Sequence, residues 1–490
     1  MNPSDSITTS PSPAPALDAA TASRNRLVIS LLLVSTFVVI LNETIMGVAI
    51  PHLMHDLGIT ASTAQWLTTA FMLTMAVVIP ITGFLLQRLN TRPVFILAMA
   101  TFSLGTLVSA LAPGLPVLIV GRIIQAVGTA IMMPLLMTTI MTLVPPESRG
   151  KTMGNISIVI SVAPALGPTI SGIILNHLTW RWMFWLVLPI ALASLALGAM
   201  RIANVTTTND APIDVPSVIL SALGFGGLVY GLNKLGEVAG ATSPSAAWLP
   251  LVVGGGAIIA FVWRQLSLQR KERALLDLRT LNSKNFTIAV AALAICMMSL
   301  FGSFILLPIY MQNVLGLDPL KTGLLLLPGG LAMGLMAPSV GRIYDRHGPT
   351  LLSVPGSIMV SAVLWTMTTM TEHTTSLQLL IAHVVLSVGL AMTFTPIFTA
   401  GLGSLPPRLY SHGSALVGTI QQLAGAAGAA LLIALMSLKS ADLVAQGLPV
   451  VSATAGGIRT AFVWGAVISM FAIVATFFLK KPADGDASHG

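Results

Sequence analysis

Charge is what this 490-residue sequence has least of. Only 8% of its residues are Asp, Glu, Lys or Arg, against about 25% in an ordinary soluble domain. A soluble surface cannot be covered with so few charges. Cysteine is nearly absent as well. The single Cys296 excludes an intrachain disulfide, and within an apolar run it reads as a small packing residue. No G-x-x-x-x-G-K-[ST] phosphate loop occurs, and no polar stretch is long enough to hold a nucleotide-hydrolysing domain. The His and Cys residues lack metal-ligand spacing. No enzyme, cofactor or metal is therefore expected. Alternating strand-length segments are missing too, which argues against a membrane β-barrel. Residues 1–24 are rich in Ser, Thr, Pro and Ala and lack a basic region followed by a cleavable apolar core. They read as a disordered cytoplasmic tail rather than a signal peptide.

What the sequence has is apolar length. Hydrophobic residues make up 55% of it, and mean hydropathy is +0.89. Runs of about 20 residues, enough to cross the hydrocarbon layer at 1.5 Å per residue, recur from residue 27 to residue 480. They predict fourteen spans: 27–50, 64–86, 93–112, 116–139, 152–175, 182–202, 215–233, 246–265, 285–310, 320–341, 350–369, 377–400, 411–437 and 459–479. With the N-terminus inside, eighteen of the 24 Lys and Arg fall in cytoplasmic segments and five outside, and Arg122 alone lies within a span. That asymmetry is what the positive-inside rule requires. It explains the net charge of +8 as membrane orientation, so no nucleic-acid partner is expected. Both termini are expected in the cytoplasm of a bacterium, with the chain in its inner membrane.

The chain also repeats itself. Pro80 and Gly83 end the second span as P-x-x-G, and Pro338 and Gly341 end the tenth in the same way. Both pairs are offset by 258 residues, as are Leu57-Gly58 and Leu315-Gly316. The expected organisation is a tail over 1–24, a six-helix bundle over 25–203, two inserted helices over 204–266, a cytoplasmic linker over 267–284, a second six-helix bundle over 285–480 and a tail over 481–490. In the linker, Leu266, Ala274, Leu275 and Leu278 could form a short amphipathic helix on the membrane surface; a solvated linker is the alternative. Parallel six-helix repeats are a transporter architecture, with the site at the repeat interface near mid-membrane.

The motifs resemble a known family. Leu41 to Pro51, with Asn42 and Glu43 at its start, is similar to the first-helix motif of the 14-helix drug:proton antiporters of the major facilitator superfamily, in the variant of the lincomycin-resistance type of exporter. Gly83 to Arg92, including Arg88, resembles the cytoplasmic loop motif, with Gln87 where an Asp is usual. The second copy, Gly341 to Gly348, keeps Asp345 and Arg346. Arg122-Ile123-Ile124-Gln125-Ala126-Val127-Gly128 resembles the fourth-helix R-x-x-Q-G-x-G, and Ala163 to Pro168 resembles the fifth-helix antiporter motif with its Gly-Pro core. Trp180 to Phe184 and Leu307 to Gly329 complete the likeness. The resemblance covers nearly the whole chain. It implies an all-α major facilitator fold of two six-helix repeats plus two inserted helices, and export of varied amphipathic, often cationic, drugs in exchange for protons.

Of sixteen acidic residues, only Glu43 falls well inside a span. A charge there marks a functional site by default. Burial disfavours the charged form of a carboxyl, while a nearby arginine favours it. Such a group can hold a proton at one stage and a cationic substrate at another. Arg122 lies at a similar depth, so the two are expected to meet or to share a water-filled cavity. The plainer alternative is a static structural pair. Asn42 and Gln125 stand beside them as uncharged contacts for substrate or for Arg122. Met132, Met133, Phe304, Tyr310, Phe394 and Phe398 are candidates for an adaptable apolar wall. Gly167 and Pro168 are expected to form a tight gating contact, while Gly83, Arg88, Gly341, Asp345 and Arg346 latch the cytoplasmic side by ion pairing. Gln87 cannot do so in the first half. His383, also within a span, reads as a neutral, hydrogen-bonded ring. Expected partners are small-molecule drugs, protons and the lipid bilayer, and the chain is expected to act as a monomer. Two rival readings are an exporter of one specific metabolite and a membrane sensor without transport.

Overall fold

The computed structural model describes residues 19–59, 61–205, 213–238 and 245–482. Most of the N-terminal tail and nearly all of the C-terminal one therefore lie outside the described residues. Fourteen helices follow in order: α1 (Ala19–Leu57), α2 (Ala61–Arg88), α3 (Thr91–Ala110), α4 (Leu115–Leu143), α5 (Arg149–His177), α6 (Trp182–Arg201), α7 (Val215–Val238), α8 (Ser245–Gln269), α9 (Lys284–Asn313), α10 (Pro319–His347), α11 (Thr350–Met367), α12 (Ser376–Gly403), α13 (Tyr410–Ala445) and α14 (Val450–Phe477). Each contains a stretch long and apolar enough to cross a membrane. Their outer surfaces are apolar as well: Leu335 is 79% exposed, Trp263 77% and Ile259 73%. Helices that are apolar on every face are stable only where lipid replaces water.

The helices sort into two bundles and a pair. In the first bundle α1 packs on α4, α5 and α6, while α3 packs on α4 and α6. In the second, α9 packs on α12, α13 and α14, and α12 also packs on α10 and α11. The α7–α8 pair leans through α7 on α2 and α13, one helix from each bundle. The bundles meet mainly along α5–α10 and α2–α13.

Several contacts between the bundles lie at helix ends that carry Arg88, Arg149, Arg346 and Lys481, among them Gln87 to Arg408 and Asp345 to Gly150 and Lys151, with Lys481 bonded to the Asp345 carbonyl; this is called the basic face below. The matched glycines of the repeat make two of these contacts. Gly83 of α2 lies against His412 and Ala415 of α13, and Gly341 of α10 lies against Gly150 and Lys151 of α5. A methyl group added to Gly341 would come within 2.1 Å of the Gly150 carbonyl oxygen. Neither backbone can yield cheaply at such a crossing. Gly341→Ala should therefore hold the α5–α10 seam apart. At about 1–3 kcal/mol for forced overpacking, the seam-closed population should fall by roughly tenfold or more. A distance measurement between spin labels across the basic face, on protein that still elutes as a folded species, checks this.

The region between the second bundle and the pair differs from both sequence expectations. It is neither an amphipathic helix lying on the membrane surface nor a merely solvated linker. α8 runs on to Gln269, three residues into the expected linker, and Ala274, Leu275 and Leu276 are buried. The buried Gln265 side chain accepts from the backbone N–H of Leu275 at 2.8 Å and of Leu276 at 3.2 Å, and donates to Ser217 of α7 at 2.8 Å. Arg279 then grips both Glu272 and Asp277. These bonds keep the carboxyl of Glu272 below its ordinary value and the guanidinium of Arg279 above its own.

The α7–α8 pair is pinned at the same face. Arg264 of α8 makes a two-point bond to Asp214, with Nε and Nη2 each 2.7 Å from a carboxylate oxygen, and Ser217 adds its N–H and hydroxyl. The Arg264 bond first, then Ser217, holds the Asp214 carboxyl down at about 2. A carboxyl depressed in the folded state stabilises at pH above its unfolded value and loses that contribution as pH falls through its folded value. The window is therefore between about 4 and about 2. Asp214→Asn should lower the thermal midpoint at pH 7 by roughly 1–2 °C, because water screens this partly exposed pair to about 1 kcal/mol. The difference from wild type should shrink as pH is lowered through that window in a thermal-unfolding series.

Candidate functional site

Glu43, on α1, is half-buried and makes no hydrogen bond among the described residues. Its neighbour Asn42 is sealed at 3% exposure. α1 is held here by α5. The Thr44 hydroxyl reaches the Leu41 carbonyl at 2.9 Å and the Ala163 carbonyl of α5 at 3.5 Å, and Gly167 crosses directly over Thr44. A methyl group at Gly167 would come within 2.3 Å of the Thr44 hydroxyl oxygen. The small residue thus fixes the distance between α5 and the helix that carries the carboxyl. α5 continues as a helix through residue 168, whose side chain lies outside the described residues.

Arg122 enters from α4 and is 2% exposed. Its Nη1 donates to the Gln125 side-chain oxygen at 2.7 Å and to the Asn42 side-chain oxygen at 3.4 Å. Its guanidinium carbon lies 4.0 Å from the centroid of the Phe71 ring on α2. Its Nε is buried without a partner. Gln125 passes the network on, donating to the Thr106 hydroxyl of α3 at 2.8 Å, and Thr106 donates to the Phe102 carbonyl. α3 and α4 come close enough for this because Gly105 packs on the backbone of Gly121 and Gln125.

The structure therefore brings Glu43, Asn42, Arg122 and Gln125 into one cluster inside the first bundle. Arg122 and Glu43 are near enough for their charges to act on each other. Among the described residues no ion pair closes between them; the neutral amides of Asn42 and Gln125 take the guanidinium instead. A cation over an aromatic face, with one N–H free and a carboxylate within electrostatic reach, has more than one partner available to it. It can move between them without being left unpaired.

The apolar candidates lie in several places. Met132 is fully buried below the Arg122 turn, while Met133 keeps some exposure. Phe304 of α9 is 49% exposed. Tyr310 is sealed, its hydroxyl donating to the Thr371 carbonyl. Phe394 and Phe398 of α12 are buried, with ring centroids 6.3 Å apart. Of this set only Met133 and Phe304 retain surface in the conformation described.

At the basic face the latch has a different chemistry from the ion pair that the sequence suggested. One carboxylate oxygen of Asp345 accepts from the Gly150 backbone N–H at 2.7 Å, and the other from the Lys151 N–H at 2.9 Å. These are the free donors in the first turn of α5, where the helix dipole favours a negative charge. Arg346 is exposed. Gln87, the first-half counterpart of Asp345, donates to the Arg408 carbonyl at 2.9 Å, just before α13. Arg88 closes α2 beside it, close to Gly83. Sequence reasoning missed Phe71 and Thr106. An aromatic or a threonine inside an apolar helix carries no local mark of its partner.

A family model described as Major Facilitator Superfamily matches residues 32–429. The chain is 40% identical over 455 residues to a Bacillus subtilis (strain 168) protein named Uncharacterized MFS-type transporter YcnB, covering 93% of this chain and 95% of that one. It is 39% identical over 459 residues to Lincomycin resistance protein LmrB of Listeria monocytogenes, covering 93% and 96%. It is also 28% identical over 396 residues to the Multidrug resistance protein B homolog of Mycobacterium tuberculosis, covering 80% and 73%. Among solved structures, the human organic anion transporter MFSD10 superposes with a TM-score of 0.68 at 14% identity, over 92% of this chain and 99% of that one. The proton:xylose symporter XylE superposes at 0.62 and 15%, over 94% and 96%. At these identities the two structures speak to the fold alone.

Proposed function

The chain belongs to the Major Facilitator Superfamily and is a multi-pass membrane transporter, and from that premise we propose that it is a proton-coupled antiporter exporting amphipathic, often cationic, drugs across the bacterial cytoplasmic membrane. In this reading both termini are cytoplasmic, the basic face is the inner gate, the chain works as a monomer, and the two bundles over 25–203 and 285–480 rock about the site.

The observation that carries the reading is the Glu43–Arg122 cluster. A carboxyl that makes no hydrogen bond among the described residues, with an arginine within electrostatic reach, can take up or release one proton without breaking a bond. Substrate cation and proton compete for Glu43, so one leaves as the other binds. Asn42 and Gln125 keep Arg122 Nη1 bonded throughout. The apolar surface of Met133 and Phe304 accepts the rest of the substrate, and Gly167-Pro168 seals α5 against α1 while the load is exchanged. Tyr310, Phe394 and Met132 join the wall as the bundles rock.

Lincomycin is the first compound to test, since relatives at 38–39% identity are named for resistance to it. Proteoliposomes with an imposed pH gradient should accumulate lincomycin and an unrelated lipophilic dye such as ethidium. Collapse of the gradient should stop both. Transport of lincomycin without ethidium would favour an exporter of one compound class, and transport that ignores the gradient would overturn proton coupling.

A further inference from the structure

His383 of α12 takes no part in the cluster above, yet the internal repeat puts it in the place of Arg122. The register follows from matched contacts. Gly128 of α4 rests on the Ala98 carbonyl and Phe102 of α3, and Gly389 of α12 packs against the Gly356 carbonyl and Val360 of α11. Residues 98 and 102 map to 356 and 360 by the offset of the P-x-x-G pairs, while 128 maps to 389, three residues further. In that register Arg122 corresponds to His383. Phe71, which lies under the guanidinium, corresponds through the α2–α10 offset to Gly329.

The second bundle inverts the arrangement of the first. With glycine where Phe71 stands, the imidazole comes up against α10 at Gly329. A methyl group at Gly329 would come within 2.4 Å of His383 Cδ2 and 2.7 Å of Nε2. The ring is 6% exposed and lies against α10. Its Nδ1 is buried with no hydrogen-bond partner. The next residue, Gly330, faces the other way and packs on Ala165 of α5, with Gly334 following on Val162. α10 is thus clamped between His383 behind it and the seam with α5 in front.

We propose that His383 is a second proton-binding site, the counterpart of Arg122 in the second bundle, and that its protonation unseats α10 and loosens the α5–α10 seam. The proposal deepens the proton-coupled reading above and rests on it. A neutral ring protonated on Nε2, the nitrogen beside α10, leaves one bare lone pair on Nδ1. A proton from water adds to that lone pair and no bond breaks. The imidazolium then holds a second N–H with no acceptor in this packing. A buried cation with an unmet donor is unstable, so the ring must leave Gly329 for water or for another acceptor, and α10 loses its backing.

No carboxylate offsets this from the helices around α12. α11 carries no charged or titratable residue. The charged groups of α10 are Lys321 at one end and Arg342, Asp345, Arg346 and His347 at the other, with Tyr344 among them. α9 contributes Lys284, Cys296 and Tyr310, the last committed to Thr371. α5 has Arg149, Lys151 and His177, all near its ends, and α13 has Tyr410, His412, Lys439 and Asp442.

The test is a distance measurement in nanodiscs on the full chain with Cys296→Ala, spin-labelled through Glu147→Cys and His347→Cys across the basic face. Lowering the pH from about 8 to about 4, which spans the range of an imidazole and extends below it, should add a longer-distance population. His383→Gln should abolish that response. Gly329→Ala, which pushes the ring off the backbone, should give the longer distance at both pH values. Glu43→Gln should leave the response intact, so a wrong assignment of Glu43 cannot be mistaken for failure here. If His383→Gln does not fold, the ring resonance in ¹³C-histidine-labelled wild type, identified by its loss in His383→Asn, must shift over the same range. A pH response that survives His383→Gln, a wild-type distance that ignores pH, or a His383 resonance that does not move overturns the proposal.

Discussion

Glu43→Gln should reduce pH-gradient-driven export by roughly a hundredfold, while substrate exchange without a gradient persists. The two assays separate because the amide keeps the shape and the hydrogen-bonding capacity of the side chain and loses only the proton site. The arithmetic rests on coupling. A gradient drives export only in proportion to the difference in substrate affinity between protonated and unprotonated states, and about 2.7 kcal/mol of coupling corresponds to a hundredfold. With no titratable group at position 43 the part of that difference set by direct competition for the carboxyl is lost. Arg122 should not collapse in the variant, because Asn42, Gln125 and the Phe71 ring already hold it. Arg122→Lys should be worse for folding than Glu43→Gln, since an ammonium cannot both stack flat on Phe71 and donate in two directions. Undiminished gradient-driven export by Glu43→Gln would remove the carboxyl from the mechanism.

The spans were legible because a bilayer imposes a length on apolar runs, and fourteen runs became fourteen helices. Their ends were less so. The last was expected from residue 459, but α14 begins at Val450; the small, weakly apolar residues before Arg459 give little hydropathy and still pack as a helix. α13 runs eight residues past its expected end, where Lys439 pairs with Asp442 at 2.7 Å. Polar residues with their own pairs extend a helix beyond its apolar part. Glu43 and Arg122 stood out as charges in apolar runs. Phe71 did not, and neither did the backbone donors that meet Asp345. The linker was misread because Leu275 and Leu276 are tied to Gln265, ten residues upstream, by bonds that no periodicity reports.

Asp345 and Gln87 make the second large prediction, and it follows from the repeat. Both close the helix before a sharp turn at the basic face, and both reach the start of a helix in the opposite bundle. Asp345 presents a carboxylate to two N–H groups of α5. Gln87 presents an amide to the Arg408 carbonyl before α13. Charge-assisted bonds to a helix N-terminus are roughly twice as strong as neutral ones, so the seam is latched unequally, with α5–α10 as its firm side. Asp345→Asn keeps one acceptor oxygen and points an NH₂ group at an N–H donor. At about 1.5–3 kcal/mol for the lost bond, the face-closed population should fall between roughly tenfold and a hundredfold. Gln87→Asp should act in the same sense and not as a second latch, because it removes the donor to the Arg408 carbonyl and sets a carboxylate against that oxygen. The double variant should lose more of the face-closed population than either single variant, since each change removes a bond across the seam. Label distances across the basic face, taken with export rates for all three variants, decide the matter. If Asp345→Asn leaves the distance distribution unchanged, the latch resides in the glycine crossings at Gly341 and Gly83, and the carboxylate only caps its neighbour.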